Sequence, residues 1–180
     1  MLKLVRRFRA IKPHNRLASY IPPLRRANGT TRTAGLGAGF RRAWRKSAKG
    51  NAFRRAQDHE RDRFYFCPAV RQAQQDGLGA LGQFIYYDAL VMHGPGPDRD
   101  SFGGIHSDAL ARANPPSSGG DETGFLNAFL DVRRAAMKRE AAHEDTSRVD
   151  TAQRVFLRAG NLGLDPPLRW KTYGDRYSIR

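Results

Sequence analysis

Apolar residues recur at three- and four-residue steps through most of the second half of the chain. Val70, Leu78, Leu81, Phe84, Ile85 and Tyr87–Val91 mark one such run, and Pro68 suits a helix start, so the pattern predicts one helix over 68–92. HGPGP (93–97) ends it. A second helix is expected over 101–114, stopped by Pro115-Pro116. A third opens at Asp121 as N-cap and carries Phe125, Leu126, Phe129, Leu130, Val132 and Met137 to about residue 138. A fourth starts at Thr146 or Ser147, with Asp150 three residues on, and closes at Gly160, spanning 147–159. Residues 1–57 show two weaker helical stretches, with turns at Pro22-Pro23 and Asn28-Gly29 and a flexible GLGAG (35–39). The tail PPLRWKTYGDRYSIR reads as irregular, and no strand pattern emerges. The fold class implied is mainly α.

Charge divides the chain in two. Residues 1–57 hold sixteen Lys and Arg and no acid; Asp58 is the first. The whole +15 net charge therefore lies in the first third, and 58–180 carries sixteen basic against seventeen acidic residues. Domains are accordingly drawn at 1–57 and 58–180. The runs RRFR, LRR, RRAWRK and FRR could neutralise a polyphosphate, or could simply form a solvated Arg-rich surface.

Several classes of function drop out. A lone Cys67 allows no intramolecular disulfide and reads as a packing residue. No apolar run approaches the roughly 18 residues that span a membrane, and the start MLKLVRRFRAIKP has no secretory apolar core, though it is Arg-rich and acid-free like a transit peptide. His14, His59, His93, His106 and His143 show no metal-site spacing, so no metal and no cofactor is expected. GLGAG lacks the Lys-Ser/Thr and the preceding strand of a phosphate loop.

The informative residues are ionisable groups on apolar helix faces. Asp88 follows Phe84 by four and Leu81 by seven. Arg133 follows Phe129 by four and precedes Met137 by four. Arg148 shares a stripe with Ala152, Val155 and Phe156. A buried charge costs several kcal/mol unless paired, so these three should meet. They could be a buried pair fixing helix register, or a network setting the charge and position of a catalytic carboxylate. Two Arg to one Asp leaves a positive charge seeking another acid. Glu140, Glu144, Asp145 and Asp150 form an acidic cluster that could offset a helix dipole or meet a cationic ligand.

Longer strings carry a resemblance. GLGALGQFIYYDALVMHGPG (77–96) with SFGGI (101–105), GGDETGFLNAFLDVRRAAM (119–137), AAHEDTSRVDTAQRVFL (141–157) and AGNLGLDPPLRWKTYGD (159–175) resemble family 46 of the glycoside hydrolases, the chitosanases. The resemblance implies a lysozyme-like two-lobed fold, here with most of the small β-containing lobe missing and 68–92 as the connecting helix. It implies endo-hydrolysis of β-1,4 linkages in chitosan by an inverting, two-carboxylate mechanism. The family's general-acid Glu and general-base Asp match positions upstream of Met1, as does a substrate-binding Asp directly before Met1–Val5. The chain is thus expected to be inactive as it stands.

By the same resemblance Arg148 matches the Arg that pairs with the general acid, and Arg133 and Asp88 the groups behind it. Glu140, Glu144, Tyr65 and His93 fall to substrate binding, with Glu144 standing where the family usually has Asp. Trp44 and Trp170 match aromatic positions near the cleft or in the core. The expected partners are chitosan and glucosamine oligosaccharides, with no membrane, no nucleic acid and a monomeric state. The family implies an extracellular protein; without a signal segment the chain reads as cytoplasmic if Met1 is the true start. The alternatives are a non-catalytic amino-sugar-polymer binder or relic, and a basic nucleic-acid-binding protein.

Overall fold

The computed structural model describes residues 1–140 and 144–180. Two compact units emerge, Met1–Phe64 and Tyr65–Arg180.

In the first unit the Arg-rich segments are amphipathic helices rather than two weak stretches. α1 (Leu2–Ile11), α2 (Ile21–Ala27), α3 (Ala38–Ala48) and α4 (Asn51–Arg61) surround a small core, with a 3₁₀ turn at Arg16–Tyr20. Val5, Phe8, Leu17, Leu24, Phe40, Phe53 and Ala56 are buried within it. Phe53 stands edge-on to Phe8 and to Trp44, each at 5.1 Å between ring centroids, which places Trp44 in packing. Arg6, Arg9, Arg25, Arg26, Arg41, Arg42 and Arg45 lie on the opposite, exposed faces. Their spacing keeps these cations off the apolar stripe, and the half-buried Arg7 is paired with Glu60 at 3.4 Å.

The second unit contains α5 (Cys67–Gln75), α6 (Ala80–His93), α7 (Phe102–Leu110), α8 (Glu122–Arg139), a π-helical turn at Arg148–Gln153 leading into α9 (Arg154–Arg158), and a hairpin of β1 (Leu168–Thr172) and β2 (Asp175–Ile179). Leu81, Ile85, Tyr86 and Ala89 of α6 meet Phe125, Leu126, Phe129, Leu130, Ala136 and Met137 of α8 in one core. Ile105, Ala109, Val149 and Phe156 extend it.

The single helix expected over 68–92 is two helices. Gly77 takes φ +78°, with its N–H donating to Gln74 O (3.1 Å) and the Leu78 N–H to Ala73 O (2.8 Å). That 6→1 and 5→2 pair is a Schellman stop. A Cβ on Gly77 would sit 3.0 Å from the Ser117 nitrogen, so glycine serves the close approach as well as the dihedral. α6 then restarts with Gly79 N–H donating to Glu122 (2.7 Å) and Leu81 N–H to Leu162 O (2.9 Å). α8 begins as expected, with Asp121 accepting from Gly124 N–H at 2.7 Å. α7 stops at Leu110, four residues before the expected end.

The tail is not irregular. β1 and β2 pair antiparallel with Thr172 opposite Asp175, joined by Tyr173 and Gly174. Both residues have positive φ (53° and 86°), the type I′ geometry that suits the twist of a two-residue hairpin. All five residues of β2 are exposed, so its brief alternation of Arg176, Tyr177, Ser178 and Ile179 marks no buried face and is too short to announce a strand.

Candidate functional site

Asp88 is placed by α6, just past the helix middle, where its neighbours Ile85 and Ala89 are fully buried. Arg133 comes from α8 and is 0% exposed, the largest fully buried side chain among the described residues. Its Nη2 donates to Asp88 Oδ2 at 2.7 Å. Arg148, more than a third exposed, reaches the same carboxylate with Nη1, which donates to Oδ1. One carboxylate thus accepts from two guanidinium groups, one buried and one at the surface. The three residues that spacing alone singled out do meet.

Sequence reasoning missed a fourth member. Gln153 is fully buried, donates Nε2 to Asp88 Oδ2 at 3.0 Å and accepts from Arg133 Nη1 at 2.9 Å. Arg148 and Gln153 are five residues apart, which an α-helix would send to different faces. The π-helical turn, with its i→i+5 pattern, brings both onto the face toward Asp88. It also breaks the expected stripe: Ala152 and Phe156 are buried, but Val155 is 38% exposed. The turn is braced from outside, where Asp150 accepts from Arg134 Nε with both oxygens (2.9 and 2.8 Å) and from the Thr146 hydroxyl (2.6 Å).

Burial pushes the Arg133 pKa below the ordinary guanidinium value, opposed by the Asp88 charge and reinforced by repulsion from Arg148. The group stays a cation, since arginine does not lose its proton in proteins. For Arg148 burial works downward, but the Tyr173 hydroxyl and the Asp88 charge outweigh it and raise the pKa. Both arginines therefore carry full charge against one aspartate and one neutral amide. The surplus positive charge inferred from the sequence is present at the more exposed guanidinium.

That guanidinium opens into a hollow of about 300 Å³ lined by Phe84, Asp88, Arg148, Gln153, Trp170 and Tyr173 among others. Trp170 stacks on Tyr177, its cross-strand partner, at 5.5 Å and 18° between planes, and packs edge-on to Phe156. A larger hollow of about 700 Å³ lies against Arg158, Arg169, Lys171, Arg176 and Arg180, with Asp150 its one acid. Its charge suits it poorly to an amino-sugar cation.

The remaining candidates are scattered. His93 is half-buried at the end of α6 and stands 3.5 Å from Arg133 Nε through Nε2, which joins it to the network's edge. Tyr65 is half-buried against the core of the second unit. Glu140 ends α8, half-buried, while Glu144 is exposed. Asp145 accepts from Ser147 N–H at 2.8 Å, a local helix-start role. Cys67 is exposed, not a packing residue. His143 lies outside the described residues. Among the described residues, no group of three His, Cys, Asp or Glu could hold a metal ion, and no helix is long and apolar enough to cross a membrane.

The fold that carries this site is found again in solved structures. A chitosanase co-crystal structure with substrate overlays on the whole chain with a TM-score of 0.94 at 59% identity, the chain covering 76% of it. A complex of the Gynuella sunshinyii family 46 chitosanase with chitotetraose overlays at 0.90 and 29% identity, with 78% of that chain covered. A Streptomyces chitosanase is 60% identical over 179 residues, 99% of this chain, and the Bacillus subtilis chitosanase is 34% identical over 187 residues. The chain spans 64% of the length of the Streptomyces protein. The family model for glycosyl hydrolase family 46 matches residues 1–168, and the chain belongs to that family.

Proposed function

We propose that the protein acts as an extracellular, monomeric chitosanase, an endo-hydrolase of the β-1,4 linkages between glucosamine residues, and that this 180-residue chain supplies the support of the reaction rather than its reacting groups. The observation that carries the reading is the Asp88 carboxylate shared by Arg133, Arg148 and Gln153, with Arg148 left in surplus at the hollow. A guanidinium held in this way is suited to a further carboxylate, fixing its orientation and favouring its charged form.

Inverting hydrolysis needs one carboxylic acid to protonate the leaving oxygen and a second carboxylate to activate water, roughly 6.5–9.5 Å apart. Asp88 is committed to two arginines and cannot serve as either. Asp76 and Asp150 are tied into local hydrogen bonds. The family resemblance assigns the reacting pair to residues other than those of this chain. Glu140, Glu144, Tyr65 and His93 are then the substrate-side groups, the two acids meeting the protonated amines of the polymer. The cations of residues 1–57 are read as a solvated surface.

The test is reducing-end release from soluble chitosan at mildly acidic pH, by the 180-residue chain and by a chimera in which the upstream segment of the Streptomyces relative precedes it. Background release by the chain and turnover by the chimera support the proposal. Turnover by the chain alone overturns the assignment of roles, and a folded but inactive chimera favours the non-catalytic binder.

A further inference from the structure

Tyr173 occupies a position that its side chain does not favour. It is the first residue of the two-residue hairpin turn and takes φ +53°, a region where a bulky side chain is a true outlier. Asn or Asp is the usual residue before the Gly of such a turn. Strain of this kind persists where the surroundings enforce it, and it clusters at functional sites.

The surroundings here are the residues flanking Arg148. The Tyr173 N–H donates to the Ser147 hydroxyl at 2.9 Å, and the Thr151 hydroxyl donates to Lys171 O at 2.8 Å. The hairpin is thus pinned on both sides of Arg148, one residue before it and three after. Between the pins, Arg148 Nε donates to the Tyr173 hydroxyl at 3.0 Å, and the guanidinium carbon lies 5.6 Å from the ring centroid. With Nη1 committed to Asp88, the Tyr173 bond fixes the second edge of a planar group. Two anchors on different edges define the plane and leave Nη2 for an acceptor in the hollow.

We propose that Tyr173 is a positioning residue for Arg148: the phenol at the strained hairpin tip sets the plane in which the guanidinium meets a carboxylate. The inference rests on the reading of Arg148 given under Proposed function. It implies that turn stability and site geometry are opposed at this position, so that a better turn residue makes a worse site.

The test uses the 180-residue chain in three forms: unchanged, Tyr173→Phe and Tyr173→Asn. The Arg148 Nε–Hε signal is followed by nitrogen-15 NMR and assigned by its loss in Arg148→Lys. Loss of the phenol acceptor should speed Hε exchange about tenfold or more in both variants. Tyr173→Asn, which creates the favoured Asn-Gly turn, should at the same time raise Tm by about 2 °C. A purely structural tyrosine predicts the reverse, a lower Tm in both. Acetate serves as the carboxylate probe, and its effect on the same signal should weaken about fivefold without the phenol.

Unchanged Hε exchange in both variants overturns the proposal whatever acetate does, and so does a Tm fall in Tyr173→Asn. If exchange accelerates but acetate leaves the unchanged chain's signal unmoved, the positioning role stands and the carboxylate reading of Arg148 fails.

Discussion

Gln153 donates to Asp88 across 3.0 Å while accepting from Arg133 across 2.9 Å, so a neutral amide links the two charges that already touch directly. All three groups are almost free of solvent. An amide fits because it offers one donor and one acceptor, each aimed at the group that lacks it.

Gln153→Leu keeps the volume and removes both bonds. It leaves one Arg133 donor and part of the Asp88 acceptor capacity unpaired in the core. The expected loss is about 1–3 kcal/mol in urea unfolding with an unchanged m-value. A loss under about 0.5 kcal/mol would show that water enters and replaces the amide.

Arg133 and Arg148 share a carboxylate but differ in burial, which separates their effects on stability. Arg133→Met leaves a nearly buried Asp88 with one cation, and breaking a buried pair costs about 3–5 kcal/mol. Arg148→Met acts at a side chain 36% exposed, where solvent screens the pair, and should cost at most about 1 kcal/mol. Denaturant midpoints measured side by side check the order. Equal losses would mean that the two guanidinium groups are energetically equivalent, contrary to their placement.

Much of this site was legible because the α-helical period is reliable where helices are regular. Asp88 and Arg133 lie on long α-helices, so steps of four and seven residues put them on the core faces. Arg148 was found by the same rule, although the rule does not hold there: the π-helical turn displaces Val155 outward and brings Gln153 inward, and nothing in RVDTAQ announces it. The break at Asp76-Gly77 was marked by a turn dipeptide, yet the apolar steps through Leu78 and Leu81 continue past it and conceal the stop. Tyr173 was invisible for a different reason. The strand that follows it, β2, is exposed throughout, so the alternation in LRWKT and RYSI is too short to stand out from an irregular tail, and the positioning proposed for Tyr173 depends on a turn conformation that tyrosine disfavours.

A second buried carboxylate gives the second unit a pH dependence of its own. Asp76 accepts from the Tyr86 hydroxyl at 2.6 Å and lies 2.8 Å from His106 Nε2, with Gln72 donating at 3.2 Å. Burial works to raise its pKa, but the His106 and Tyr86 bonds, with the His106 charge, outweigh it and hold the value below the ordinary carboxylate range. A depressed folded pKa contributes stability that is complete above the unfolded value of about 3.9 and is lost as pH falls through the folded value. Melting followed from pH 6 downward should therefore show a loss beginning near pH 4. Asp76→Asn should lower stability at pH 6 by roughly 1–3 kcal/mol and flatten the fall below pH 4. A parallel curve for the variant would place the acid sensitivity in other carboxylates.

The last prediction concerns the substrate side. Glu140 closes α8 and Glu144 stands four residues later, exposed. Protonated chitosan is a string of cations, and the chain proposed to bind it carries +15, concentrated before residue 58. Long-range attraction cannot bring such a polymer in; the whole-molecule field opposes it. Binding must then come from short-range acids, and added salt acts in two directions: it screens the unfavourable net field at long range and weakens the local pairs less. A glucosamine hexamer titrated against the 180-residue chain at pH 5.5 should consequently bind no more weakly, and up to about threefold more tightly, at 0.15 M salt than at 0.01 M. Glu140→Gln should weaken it by about fivefold at either ionic strength, and Glu144→Gln by less, because exposure lets water and ions screen that carboxylate. Calorimetry at the two salt concentrations reads all of these. Affinity that falls steeply with salt, as attraction between opposite net charges requires, would mean that an acidic surface other than these two residues captures the polymer.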